Sequence, residues 1–160
     1  MIIAGTGHRP LALGLSYDIV DRDKLDRFVY DKLSKINDID LIYSGMAQGF
    51  DQALVVAAKL LGIPYVATLP FEGMESRWPQ ESKDRFNTLL KHADDIIVIR
   101  DKYSKRAYFE RDIYMVDQCD CLVALYNEEN KDSGTGITVG YARDKSKAVI
   151  NLWESWANER

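Results

Sequence analysis

Short apolar runs alternate with longer amphipathic stretches along the whole chain, and this rhythm predicts its elements. Residues 1–6 (Met-Ile-Ile-Ala-Gly-Thr) read as a first strand. Over 18–36, Ile19, Leu25, Phe28, Val29, Leu33 and Ile36 recur at helical spacing among charges, which predicts an amphipathic helix. Residues 41–44 form a second, short strand. Residues 51–61 are apolar almost all round, the mark of a helix buried on most sides. Gly62 ends that helix in the usual C-cap place, and Pro64 follows. Strand three is 65–69. Pro79 opens a helix over 79–92, where its missing N–H does no harm. The alternation continues with strand four at 95–99, a helix over 106–118, strand five at 122–126, a short helix over 136–144 and strand six at 148–152.

Apolar runs separated by helices predict a parallel sheet covered on both faces. The expected fold class is therefore α/β, a Rossmann-like, doubly wound parallel sheet. The chain shows no internal repeat, low-complexity segment or linker, and its 160 residues suit one core. One domain over 1–160 is expected, with 153–160 as a C-terminal tail. Trp153 and Trp156 in that tail predict docking onto the body or onto a second subunit, since fraying would expose them.

Composition narrows the function classes. Lys and Arg number 21 against 25 Asp and Glu, a net charge of −4, with both signs interspersed. That balance argues against a duplex nucleic-acid partner. No apolar run approaches the roughly 20 residues needed to span a bilayer. The first residues lack the basic flank and apolar stretch of a signal peptide, so a cytoplasmic location is expected. Cys119 and Cys121, at a helix-to-strand junction, read as structural and reduced. With only two cysteines and two histidines, no metal site is indicated.

In sheets of this kind the ligand lies beyond the C-terminal strand ends. The loops there are Gly5-Thr6-Gly7-His8-Arg9-Pro10, Ser44-Gly45-Met46-Ala47-Gln48-Gly49-Phe50-Asp51, Pro70-Phe71-Glu72-Gly73 and Asp132-Ser133-Gly134-Thr135-Gly136. Three of the four combine glycine with Ser or Thr. Glycine lets backbone approach an anion, and a following helix N-terminus offers free N–H groups. The hydroxyls of Thr6, Ser44 and Thr135 add donors, and Arg9 can grip phosphate in a bidentate way. Together they predict one anion or nucleotide pocket. The third glycine of the dinucleotide fingerprint is missing at Pro10 or Leu11, and no Gly-Lys-Ser/Thr follows, so neither NAD nor ATP is indicated as a cofactor.

Other residues keep two roles open. Glu72 could serve as a base or bind a ribose diol, or be an exposed turn residue. Asp51 is expected to N-cap the buried helix. His8 could donate to phosphate or stack on a base, and His92 is placed to meet a helix dipole. Phe71 and Trp78 flank the third loop, where aromatics either stack on a base or pack.

The motifs Gly5-x-Gly7-His8-Arg9-Pro10 and Ser44-Gly45-x-Ala47-x-Gly49-x-Asp51 resemble the SLOG superfamily of Rossmann-like proteins. That superfamily includes the DNA-processing protein DprA and the LOG-type cytokinin-activating enzymes. The likeness is strongest to its small stand-alone YpsA/YspA-like branch of bacteria and phages. It continues through Pro70-Phe71-Glu72, Trp78 and Arg111-Asp112-Ile113-Tyr114-Met115-Val116-Asp117, ending at Gly134-Thr135-Gly136-Ile137-Thr138-Val139-Gly140-Tyr141-Ala142.

The resemblance implies a nucleotide-derived ligand at the strand ends, homo-oligomers, and a ligand role for Arg111. With the doubly wound pattern it implies strand order 3-2-1-4-5, extended by the last strand. LOG-type hydrolases carry a Glu where this chain has Thr138. Cleaving an N-glycosidic bond develops positive charge on the sugar, which a carboxylate stabilises and a hydroxyl does not. Binding of a nucleotide or its derivative, as sensor, carrier or sequestering module, is thus favoured. The alternatives are a metal-independent nucleotide N-glycosidase and a DprA-like single-strand accessory protein.

Overall fold

Side chains along a strand alternate between its two faces, and in the central strand β1 (Ile2–Gly7) that alternation divides the core. Ile3 joins one buried cluster and Ala4 the other. The computed structural model describes residues 1–159. Around β1 lie β2 (Leu41–Ser44), β3 (Tyr65–Phe71), β4 (Asp95–Arg100), β5 (Cys121–Leu125) and β6 (Ala148–Asn151), in one six-stranded sheet. Every neighbouring pair is parallel, in the order β4-β3-β2-β1-β5-β6.

Helices α1 (Ile19–Ser34), α2 (Phe50–Leu61) and α3 (Gln80–Lys91) contribute to the Ile3 cluster. Helices α4 (Lys105–Gln118) and α5 (Gly134–Asp144) supply Met115, Val116, Val139 and Ala142 to the Ala4 cluster. The α/β class and the doubly wound form follow the hydrophobic pattern. Helix α2 is buried from Phe50 to Val55 and again at Ala57 and Ala58, which its all-round apolar sequence requires. Gly62 closes it at φ +71. No helix among the described residues is long and apolar enough to cross a membrane.

The strand order departs from expectation at one strand. The fourth strand was expected beside β1, but β4 pairs with β3 at the sheet edge, and β5 takes the place next to β1. Burial explains the exchange. All five residues of β5 are buried, whereas Ile96 and Val98 of β4 are 45% and 44% exposed. Both segments are apolar runs, so periodicity alone does not separate an edge strand from a central one.

The C-terminal tail is ordered as α6 (Trp153–Glu159). Trp156 is buried, packs edge-on against Phe28 at 5.0 Å and donates its indole N–H to Leu13 O at 3.2 Å. It docks onto its own chain, one of the two alternatives its sequence allowed. Cys119 and Cys121 are free thiols, both buried, and burial pushes the Cys119 thiol up to about 11.

Candidate functional site

Strand order reverses between β1 and β5, and at such a point the loops leaving the two strands diverge and open a crevice. A cleft of about 370 Å³ lies there. Thr6, Gly7, His8 and Arg9 come from the end of β1, Ala47 and Asp51 from the entry to α2, Tyr108, Arg111 and Asp112 from α4, and Ser133, Gly134 and Thr135 from the start of α5.

Helix α5 is built to leave donors open. Ser133 caps it by accepting the Gly136 N–H at 3.0 Å, and Gly136 lies so close to the Lys131 carbonyl that a Cβ there would sit 2.5 Å from its oxygen. Gly134 faces open space: a Cβ on this residue would meet nothing within 4 Å. The first-turn N–H groups of Gly134 and Thr135 therefore remain available where the helix dipole is positive.

Arg111 is buried, with 6% of its surface exposed, and it is held on three sides. Nε donates to Asp112 Oδ1 at 2.7 Å, Nη1 donates to Gly45 O at 2.8 Å, and the guanidinium lies 5.7 Å from the Tyr108 ring centroid. A Cβ on residue 45 would stand 2.7 Å from Arg111 Cζ, so Gly45 makes room for this side chain rather than for a ligand. Asp112 accepts on its other oxygen from the Thr138 hydroxyl at 2.9 Å, a proton that hydroxyl shares with the Gly134 carbonyl at 3.0 Å. The hydroxyl at the position where LOG-type hydrolases carry Glu thus holds a carboxylate from the neighbouring helix.

Asp51 was expected from sequence to cap α2 and does not; Gly49 occupies the cap position, at φ +98. Asp51 lies within the first turn instead, buried, where Oδ2 accepts the Ala47 N–H at 3.3 Å. Burial raises its carboxyl to about 7, against the attraction of Arg111 and with a push from Asp112. His8 is also buried, and loss of solvation lowers its pKa. Its Nε2 accepts the Asn127 N–H at 3.0 Å, and its ring meets Tyr126 and Trp153 edge-on, each at 5.9 Å. That hydrogen bond requires the tautomer with the proton on Nδ1.

The cleft thus gathers Gly7, Thr6, His8, Arg9, Ala47, Arg111, Gly134 and Thr135. Other sequence candidates hold the frame. Ser44 donates to Asp51 O at 2.9 Å and accepts from Met46 N at 3.2 Å, and Met46 is fully buried at φ +63. Gly5 and Gly7 bring α2 onto β1: a Cβ on the first would collide with the Leu54 side chain, and on the second with Phe50. Phe71 and Glu72 line a separate, adjoining hollow of about 690 Å³, which shares Tyr108 with the cleft. Tyr108 and Ser133 were missed from sequence. Tyr108 stands three residues before Arg111, a spacing that puts both on one helix face, and Ser133 begins a Ser-x-x stretch before a helix. Among the described residues, no group of three His, Cys, Asp or Glu could hold a metal ion.

Residues 3–153 match the profile of the YspA SLOG family. The chain belongs to this family. A 73-residue stretch is 27% identical to a UPF0398 protein of Lysinibacillus sphaericus (strain C3-41), covering 44% of this chain and 41% of that protein. The fold resembles that of DNA processing protein A (DprA) from Streptococcus pneumoniae, with a TM-score of 0.62 and 17% identity over 93% of this chain and 49% of that one. It also resembles the structural-genomics target TM1055, with a TM-score of 0.58 and 15% identity over 92% of this chain and 71% of that one. The chain therefore spans about half of DprA and less than half of the UPF0398 relative, and the two structural likenesses speak to fold.

Proposed function

We propose that this YspA SLOG protein binds a nucleotide or nucleotide-derived small molecule, with a phosphate in the cleft against the first turn of α5. The observation that supports this most is the open N-terminal turn at Gly134 and Thr135, which lines the same cleft as Arg9 and Arg111 at the point where strand order reverses. Backbone N–H groups and guanidinium donors in one cleft suit a tetrahedral anion. Assembly into homo-oligomers, implied by the family, is checked by light scattering.

The test is thermal melting with mono-, di- and cyclic nucleotides. A ligand that binds only the folded chain, at ~100 times its Kd, adds roughly 2.7 kcal/mol and raises Tm. Gly134→Glu should remove that rise, because its added carboxylate enters open space at the anion position without disturbing packing. A panel that leaves melting unchanged refutes the reading.

A nucleotide N-glycosidase is the second reading, favoured by one contact. Thr138 donates to Asp112, so a carboxylate stands beside the position where related hydrolases carry Glu. Both oxygens of Asp112 are already engaged, by Arg111 and Thr138, which supports a positioning role over a catalytic one.

A further inference from the structure

We infer that the aromatic hollow beside the cleft is the second compartment of one site, and that it takes the base of the nucleotide whose phosphate the cleft holds. This rests on the binding reading above. At about 690 Å³ the hollow is within the range of small-ligand pockets. Phe71, Glu72, Met74, Trp78, Tyr103 and Tyr108 form its walls. Tyr108 also lines the phosphate cleft, and Arg111 stands at the partition, with Nη1 4.0 Å from Met74 Sδ and Cζ 5.7 Å from the Tyr108 ring centroid. Tyr108 is common to both compartments, and the Arg111 cation touches residues of each.

The rings are arranged as a surface already set for stacking. Phe71 is buried and meets Tyr103 at 5.3 Å and Tyr108 at 5.5 Å, both edge-to-face. These contacts orient Tyr103, yet 66% of its surface stays exposed. Rings that only packed against one another would hide more of that surface. An oriented, exposed ring loses little freedom when a flat ligand covers it. The rim carries the exposed carboxylate of Glu72, an acceptor for base N–H or ribose hydroxyl groups. Four aromatic rings, with Glu72 and Arg77 of opposite charge beside them, suit a base better than a second phosphate, and the cleft, with its helix N-terminus and two arginines beside Asp51 and Asp112, suits the phosphate. The rings on one side and the helix N-terminus on the other set the direction in which a nucleotide lies.

The experiment is calorimetric titration of the full chain with the four ribonucleoside 5′-monophosphates and with ribose 5-phosphate, which keeps the sugar phosphate and lacks the base. Base–aromatic stacking should make at least one nucleotide bind about ten-fold more tightly than ribose 5-phosphate. Tyr103→Ala, an exposed position, should narrow that gap to about two-fold and leave the ribose 5-phosphate Kd unchanged, while Tyr103→Phe keeps the gap. Equal affinity for every nucleotide and ribose 5-phosphate overturns the base compartment and leaves the phosphate reading standing. Loss of affinity for both ligand types in Tyr103→Ala also overturns it. Failure of all five compounds to bind refutes both readings together.

Discussion

Two buried titratable residues beside the cleft, Asp51 and His8, pull stability in opposite directions with pH. The Asp51 carboxyl titrates near 7 in the folded chain and at 3.8 when free of it. Between those values the folded state holds a proton that the unfolded chain has lost, so stability falls as pH rises through the window. The slope is roughly 1.4 kcal/mol per unit at most. His8 acts the other way. Burial lowers its pKa below 6.5, so its contribution is complete above that value and is lost as pH falls from there through the lowered folded-state value. Asp51→Asn keeps an oxygen for the Ala47 N–H and removes the ionisable group. The variant should melt higher than the native protein at pH 8 and gain little at pH 4, measured by calorimetric Tm across that range. An equal gain at both pH values would show that Asp51 is not held neutral by its surroundings.

At the scale of elements, the last helix is as much part of the core as the strands are. α6 is only one or two turns long, too short to persist by itself. Its anchor is Trp156, buried against Phe28 and hydrogen-bonded to Leu13 O in the turn that follows β1. Trp156→Ala should therefore cost about 3–5 kcal/mol, the range for truncating a buried large aromatic, read as a lowered urea midpoint. Trp153 rests on His8, so α6 also backs the cleft floor. The same variant should weaken nucleotide binding; unaltered stability would mean that α6 is an appendage. The loops that make the cleft show the same division of labour. Ser44 and Met46 hold the bend after β2, and Gly5 and Gly7 admit α2 close to β1, leaving Arg111 and the α5 turn to face a ligand.

The molecule as a whole brings three carboxylates to the walls of the two compartments, and none stands unengaged inside the cleft. Asp51 is buried and titrates near 7, Asp112 is bonded on both oxygens, and Glu72 lies on the rim of the neighbouring hollow. Stabilising positive charge on a sugar calls for an unencumbered carboxylate close to it. N-glycosidase turnover should accordingly be absent or far below the ~1 s⁻¹ of working enzymes. Chromatography of free base after incubation with nucleoside monophosphates and with NAD is the check. Robust turnover that disappears in Asp112→Asn, with nucleotide affinity retained, would place the hydrolase first.

What the amino-acid order determined by itself was local. Periodicity marked six strands and five of the helices, because side-chain direction repeats every two residues in a strand and every 3.6 in a helix. Gly62 and Pro79 carried their meaning in place, since backbone conformation and a missing N–H are properties of single residues. The crevice at the strand ends followed from the doubly wound pattern. Tertiary structure decided what depends on residues far apart in the chain. Gly45 is small because Arg111, 66 positions later, lies against it, and Thr138 matters through Asp112, 26 positions earlier. Asp51 is perturbed by burial together with Arg111 and Asp112, roughly 60 positions later in the chain. β4 and β5 read alike as apolar runs, and only packing on both faces put one at the edge and the other beside β1. The separation of Phe71 and Glu72 from the glycine loops has the same origin: they line a different hollow, and Tyr108 of α4, 37 positions after Phe71, is the residue the two hollows share.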